Sequence, residues 1–200
     1  MSGASSKGIW RERIGVLGGT FDPPHVGHLI VAADVCAALE LDRLLLIPSA
    51  SPPHKQGQVR ATAEQRLAMV RAAVAGDDRF EVDDIELRRS GASYTVDTLR
   101  ELRSRHPRAE LFFVIGMDQY RDLHTWREPE EVARLARLAV VSRDGDTPDG
   151  ENPIPVHPVS VTRIDLSATD IRRRVHAGES IRYFVPDPVR EIIEREGLYK

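Results

Sequence analysis

The run Gly18-Gly19-Thr20-Phe21-Asp22-Pro23-Pro24-His25-Val26-Gly27-His28 restricts the possible folds of this chain more than any other stretch, because it joins an apolar strand to a helix. Before it, Ile14-Gly15-Val16-Leu17 is a short continuous apolar run, the pattern of a strand buried on both faces of a parallel sheet. After it, Leu29, Ala32, Ala33, Cys36 and Leu39 recur at helical spacing, while Asp34 and Glu40 fall elsewhere. Two glycines at a strand exit let the backbone come close to a ligand, and a helix N-terminus offers N–H groups and a positive dipole end. Strand, glycine turn and helix in this order predict a phosphate-sized site.

His25 and His28 sharpen that expectation. Residues three apart at a helix start share a face, and Gly27 between them adds no side chain to obstruct a ligand. The spacing is neither that of a phosphate loop ending in Gly-Lys-Ser/Thr nor that of Gly-x-Gly-x-x-Gly. The residues alone leave two other readings open. One is a pair of capping or core histidines beside an ordinary turn; the other is a zinc site, for which no third ligand lies at recognisable spacing and Cys36 is isolated.

The remaining composition sets outer bounds. Two hundred residues with 41% hydrophobic content can bury the core of one α/β domain, read here as residues 13–200 behind a disordered extension over residues 1–12. A net charge of −3 argues against a surface built to coat nucleic acid. The single cysteine excludes an internal disulfide framework and reads as a small apolar residue in a reducing compartment. No apolar run approaches the ~18 residues of a membrane span, and Met1 to Gly8 lacks the apolar middle of a signal peptide. The expectation is a cytoplasmic protein without nucleic-acid or membrane partners; its oligomeric state is left open.

Along the chain, Leu44-Leu45-Leu46-Ile47 reads as a second buried strand ended by Pro48, which makes a β-α-β unit. The loop after it carries Lys55. Ligands of open parallel sheets bind outside the carboxyl ends of the strands, so this location sets Lys55 near His25 and His28. Thr62 and Gln65 form a capping box that opens a helix through Val74, with Leu67, Val70, Ala73 and Val74 on its apolar face and Arg66 and Arg71 on its solvated side. Phe80 to Val82 reads as a strand and Ile85-Glu86-Leu87 as a short continuation or edge piece. Ser93 to Leu99 begins a further helix. Leu111 to Gly116 is the clearest central strand, and Asp118 follows its carboxyl end as either a site residue or a helix cap. Leu138 to Ser142 is a fifth strand, Asp144 to Pro158 a loop rich in glycine, proline and acids, and Pro155 to Val161 a last strand. Ser167 and Asp170 stand at capping-box spacing before another helix, and Pro188 to Gly197 bounds the final one. The pattern predicts a Rossmann-like, doubly wound α/β fold: a mainly parallel sheet with helices on both faces.

At this point a resemblance enters. Gly18-Gly19-Thr20-Phe21-Asp22-Pro23 followed by His25-Val26-Gly27-His28 resembles the signature of the His-x-Gly-His nucleotidyltransferase superfamily, and within it the chain from about Arg13 to Lys200 looks like the bacterial nicotinate-nucleotide adenylyltransferases. The resemblance implies that Gly18, Gly19, Thr20, Phe21, His25 and His28 meet ATP. It makes the Pro-Pro-His-Lys segment ending at Lys55 a cover for the phosphates. Tyr94, Thr95, Asp118 and Trp126 match the family's mononucleotide site, with Trp126 beside the nicotinate ring and Arg127 standing where many relatives carry a second aromatic. Ser167, Thr169 and Arg172 match an Ile-Ser-x-Thr-x-Ile-Arg element that meets the ATP phosphates.

The implied reaction transfers AMP from ATP to nicotinate mononucleotide and releases pyrophosphate. It needs no protein nucleophile, because the mononucleotide phosphate is itself the nucleophile; alignment and charge stabilisation suffice. His25, His28, Lys55 and Arg172 are the candidate catalytic residues, and Mg²⁺ is expected to arrive with ATP. Rival expectations are an adenylyltransferase for nicotinamide mononucleotide or pantetheine phosphate, a non-catalytic nucleotide sensor, and a tRNA-binding synthetase fragment, for which a basic surface is missing.

Overall fold

The computed structural model describes residues 12–50, 59–89, 91–142 and 154–200. The extension up to residue 11, Lys55 and the greater part of the acidic loop fall outside the described residues. Glu12, assigned to the extension by its sequence, instead opens the first strand.

Six strands form one sheet: β1 (Glu12–Gly19), β2 (Arg43–Pro48), β3 (Phe80–Val82), β4 (Ala109–Gly116), β5 (Arg137–Ser142) and β6 (Val156–Ser160). Their spatial order is β3-β2-β1-β4-β5-β6, and every neighbouring pair is parallel. The chain leaves β1 for β2 and β3 on one side, then crosses back to β4 on the other. At such a reversal the connections diverge, so a crevice opens at the carboxyl ends of β1 and β4.

The apolar runs of the strands are continuous because both faces are covered. On one face, Ile14, Val16, Leu45, Ile47, Leu111, Phe113 and Ile115 pack with Val96, Leu99 and Leu102 of α3 (Thr95–Arg105) and Val132 and Leu135 of α5 (Pro129–Leu135). On the other, Leu44, Leu46 and Val114 meet Ala32, Val35 and Cys36 of α1 (Val26–Ala38) and Val70 and Val74 of α2 (Ala63–Val74). Each fully buried aliphatic side chain contributes about 1.5–3 kcal/mol to keeping these layers together. A third cluster joins Met69 of α2 to Ile171 of α6 (Ala168–His176) and Val189, Ile192 and Ile193 of α7 (Asp187–Glu196). This cluster turns the C-terminal helices back toward the crevice.

Local chemistry sets the element ends. The Thr62 hydroxyl accepts the Gln65 N–H at 3.2 Å while the Gln65 side chain accepts the Thr62 N–H at 2.9 Å, the reciprocal cap that the sequence predicts. Ile85 to Leu87 forms a turn rather than an edge strand. The Asp83 carboxylate takes the Ile85 N–H at 2.9 Å and the Asp84 carbonyl takes that of Leu87 at 2.8 Å, which removes both donors from any strand ladder. Between β4 and β5 the chain adds α4 (Met117–Arg121), a 3-10 turn (Leu123–Thr125) and α5, whose start combines Glu128 in the left-handed region with Pro129 in the first turn.

Candidate active site

The turn after β1 is held by residues from three other parts of the chain. The Thr20 carbonyl accepts Arg66 Nη1 at 2.8 Å, and the Ala50 carbonyl, just beyond β2, accepts Nη2 of the same side chain at 3.3 Å. Arg66 is therefore no solvated residue, as its charge suggests; it is 1% exposed. Its burial lowers the guanidinium pKa, and nearby Asp22 opposes that shift. Arg71 does face solvent, beside Asp84. The signal for Arg66 was present in the spacing: Arg66, Met69, Val70 and Val74 lie on one helical stripe, and all four are buried.

Asp22 is 3% exposed and collects donors from distant segments. Its Oδ2 accepts the Arg60 N–H at 2.7 Å, and its Oδ1 accepts the Ala61 N–H at 3.1 Å and the Tyr199 hydroxyl at 2.7 Å. A buried carboxylate is tolerated when its lone pairs are satisfied in this way. Neither Asp22 nor Tyr199 was singled out from the sequence, because their partners lie 38 to 177 residues away.

Phe21 has a positive φ of 49° and a buried ring. That ring covers Gly19, where an added Cβ would lie 2.9 Å from Phe21 Cζ, and its edge meets the His28 ring at a centroid distance of 5.0 Å. His25 is the N-cap of α1, and His28 sits three residues on. Their rings stack at 3.7 Å with planes 26° apart. The His25 N–H donates to His28 Nδ1 at 3.2 Å, so a neutral His28 carries its proton on Nε2. The capping and ligand-facing readings of these histidines are thus compatible. Gly27 has a second reason beside the one its sequence suggests: a Cβ there would lie 3.0 Å from His25 Nδ1, so the glycine also makes room for the histidine ring. The donors of the helix start are also partly used within the protein, since the Val26 N–H donates to the Phe184 carbonyl at 3.0 Å.

Helix α6 brings Arg172 to this turn. Its Nη1 donates to the Asp22 carbonyl at 2.8 Å, and its Nη2 to Thr169 Oγ1 at 3.1 Å. Ser167 caps the helix, accepting the Asp170 N–H at 3.1 Å. Segments 18–28 and 167–172 thereby meet. Gly18 is exposed, and the atom nearest to a Cβ built on it is Phe113 Cε2 at 4.0 Å.

Phe113 links this side of the crevice to the residues beyond β4. Trp126 is half-buried and meets Phe113 edge-on, with ring centroids 6.1 Å apart. Arg127, next in the chain, lies over the Tyr94 ring at 4.9 Å and within 3.7 Å of Asp97. Tyr94 is the N-cap of α3 and Thr95 its first residue. Asp118 is in the first turn of α4 with Gly116 as the cap, and its side chain is 97% exposed, 3.5 Å from Arg121. Lys55 lies outside the described residues. Among those residues, no three His, Cys, Asp or Glu side chains form a cluster able to hold a metal.

Comparison with known proteins gives a concordant result. The family model described as cytidylyltransferase-like matches residues 16–174. A Thermus thermophilus protein named "Probable nicotinate-nucleotide adenylyltransferase" is 50% identical over 188 residues, covering 94% of this chain and all of that protein. A protein of the same name from Geobacillus thermodenitrificans is 46% identical over 187 residues, covering 94% and 86% of the two chains. Among solved structures, Plasmodium falciparum nicotinic acid mononucleotide adenylyltransferase complexed with NaAD shares the fold, with a TM-score of 0.79, 17% identity, and coverage of 94% and 98%.

Proposed function

The chain belongs to the cytidylyltransferase-like family and, within it, to the nicotinate-nucleotide adenylyltransferases, and from that premise we infer how its own residues carry the reaction. It transfers AMP from ATP to nicotinate mononucleotide, forming nicotinate adenine dinucleotide and pyrophosphate for NAD biosynthesis. The observation that carries this substrate assignment is the match to relatives of that name along nearly the whole chain.

One oxygen of the mononucleotide phosphate attacks the α-phosphorus of ATP, and the bond from that phosphorus to the bridging oxygen breaks, with pyrophosphate leaving in line. The nucleophile is already an anion, so the work of the protein is alignment and stabilisation of spreading negative charge. We assign the ATP side of the crevice to Gly18, Gly19, Thr20, Phe21, His25, His28, Ser167, Thr169 and Arg172. The stacked histidines and the junction of Arg172 with the β1 turn support this. His28 donates from Nε2 to a phosphate oxygen, and Arg172 bears on the phosphates with its fixed positive charge. Lys55 covers the same phosphates. Phe21 acts through its position beneath His28, a ring that keeps the imidazole upright.

The mononucleotide side is assigned to Lys55, Tyr94, Thr95, Asp118 and Trp126. Trp126 offers a flat face to the pyridine ring, and Arg127, paired with Asp97 and Glu128, lies over Tyr94 at that rim. Stacking favours nicotinate and nicotinamide about equally, whereas charge-assisted donors favour the carboxylate, so selectivity follows the charge. Nucleotidyltransferases of this kind generally use a divalent metal. We take it to be Mg²⁺ arriving with ATP; when bound it would supply positive charge to offset that of the departing pyrophosphate, with few protein ligands required. We also propose a single domain from Glu12 onward and a cytoplasmic location; no helix among the described residues is long and apolar enough to cross a membrane.

The experiment is direct: incubate the purified protein with Mg-ATP and, separately, nicotinate or nicotinamide mononucleotide, and identify the dinucleotide by mass. Nicotinate adenine dinucleotide with stoichiometric pyrophosphate is expected. Preference for the nicotinamide substrate would overturn the assignment, and ATP binding without pyrophosphate release would make the protein a sensor.

A further inference from the structure

Asp22 joins the penultimate residue of the chain to the turn that carries the histidines. Among the described residues, its carboxylate receives two backbone N–H groups, from Arg60 and Ala61, and one side-chain hydroxyl, from Tyr199 at 2.7 Å. Arg172 stands beside it without hydrogen-bonding it: Nη1 lies 4.0 Å from Oδ2 and instead donates to the main-chain carbonyl of Asp22 at 2.8 Å. The guanidinium therefore sits next to a buried opposite charge yet is directed to the rim of the turn.

The position of Tyr199 is well supported. Gly197, in the left-handed region at φ 61°, stops α7 and turns the chain, and Leu198 and Tyr199 pack against the cluster formed by α2, α6 and α7. Burial and the adjacent Asp22 carboxylate push the phenol pKa well above its ordinary value, so the hydroxyl remains a donor throughout the working pH range.

We propose that Tyr199 is a positioning residue for adenylyl transfer: by satisfying Asp22 it keeps Arg172 available to the ATP phosphates. A buried carboxylate that loses a donor seeks another, and Arg172 is a cation within reach. Without the hydroxyl, Oδ1 keeps only the Ala61 N–H, the carboxylate charge is less well satisfied, and Arg172, already 4.0 Å from Oδ2, is drawn from the rim toward the carboxylate and weakened as a phosphate ligand. The C-terminal tail thus acts on a site formed 177 residues earlier in the chain. This inference rests on Arg172 serving the ATP side of the site.

Tyr199→Phe, Arg172→Ala and the double variant test it by steady-state kinetics with each substrate varied in turn. In Tyr199→Phe the KM for ATP should rise about tenfold, the scale of one hydrogen bond to a charged group. The KM for nicotinate mononucleotide should stay within about twofold, and in the Arg172→Ala background the Phe substitution should add nothing further. An unchanged ATP KM in Tyr199→Phe alone, an equal rise in both KM values, or effects that multiply independently of Arg172 would overturn the proposal. Phe fills the same volume, so a thermal midpoint close to the parent's is part of the expected result; a variant that unfolds would make Tyr199 a clamp for the fold only. If Arg172→Ala itself leaves ATP use unchanged, the assignment of Arg172 fails first and takes the inference with it.

Discussion

His28 keeps its orientation through the bond that also selects its tautomer, because the His25 N–H occupies Nδ1. Gly27 in turn leaves the His25 ring room that a Cβ would crowd. Replacing either histidine by alanine should preserve the fold and lower turnover roughly 10²–10³-fold, the scale of one lost transition-state donor. Circular dichroism and initial rates measure the two properties separately, and a variant with near-parental turnover would remove that residue from the catalytic group. Arg66 makes the opposite case, a charged residue whose work is structural. It ties the exits of β1 and β2 through two carbonyls, so Arg66→Leu should destabilise the protein by about 2–4 kcal/mol by leaving both acceptors buried without their donor. Urea unfolding gives the figure; an unchanged midpoint would mean that water replaces the guanidinium at no cost.

At the level of elements, α6 holds Arg172 at the crevice through the Ser167 cap at one end and the buried Ile171 in its middle. The two possible roles of Ser167 can be separated by the choice of substitution. Ser167→Ala should cost about 0.5–2 kcal/mol, since alanine cannot receive the Asp170 N–H, whereas Ser167→Gly should cost only a few tenths of that unit. If the hydroxyl also meets ATP, both variants should raise the ATP KM alike despite their different stabilities. A glycine variant with parental ATP saturation would confine Ser167 to capping. The loop between β4 and β5 has the opposite character: α4, the 3-10 turn and α5 are all short, and their packing on Phe113 and on α3 holds Trp126 and Arg127 in place.

Over the whole molecule, the proposed assignment puts the two substrates on opposite sides of one reversal in strand order, with the β1 turn and α6 on the ATP side and α3 with the β4–α5 loop on the other. Trp126→Ala should therefore raise the KM for the mononucleotide more than that for ATP, while the preference for nicotinate over nicotinamide largely survives. Kinetics with both mononucleotides measure the split, and an unchanged mononucleotide KM would take Trp126 out of the site. Much of this was legible before any coordinates. Short continuous apolar runs between turn signals suit strands covered on both faces, a glycine turn before a helix suits close approach of a ligand, and the caps at Thr62 and Ser167 act within one turn. Local chemistry encodes all of these, so residue order determined the α/β class, most of the strands and the stretch that carries His25 and His28. Tertiary structure alone decided that Arg66 is buried, that Asp22 gathers Arg60, Ala61 and Tyr199, that Gly27 serves a histidine ring, and that Arg172 rests on the Asp22 carbonyl. Burial of a charge or the choice of a hydrogen-bond partner depends on which distant segment fills the neighbouring space, and that is known only once sheet order and helix packing have brought the segments together.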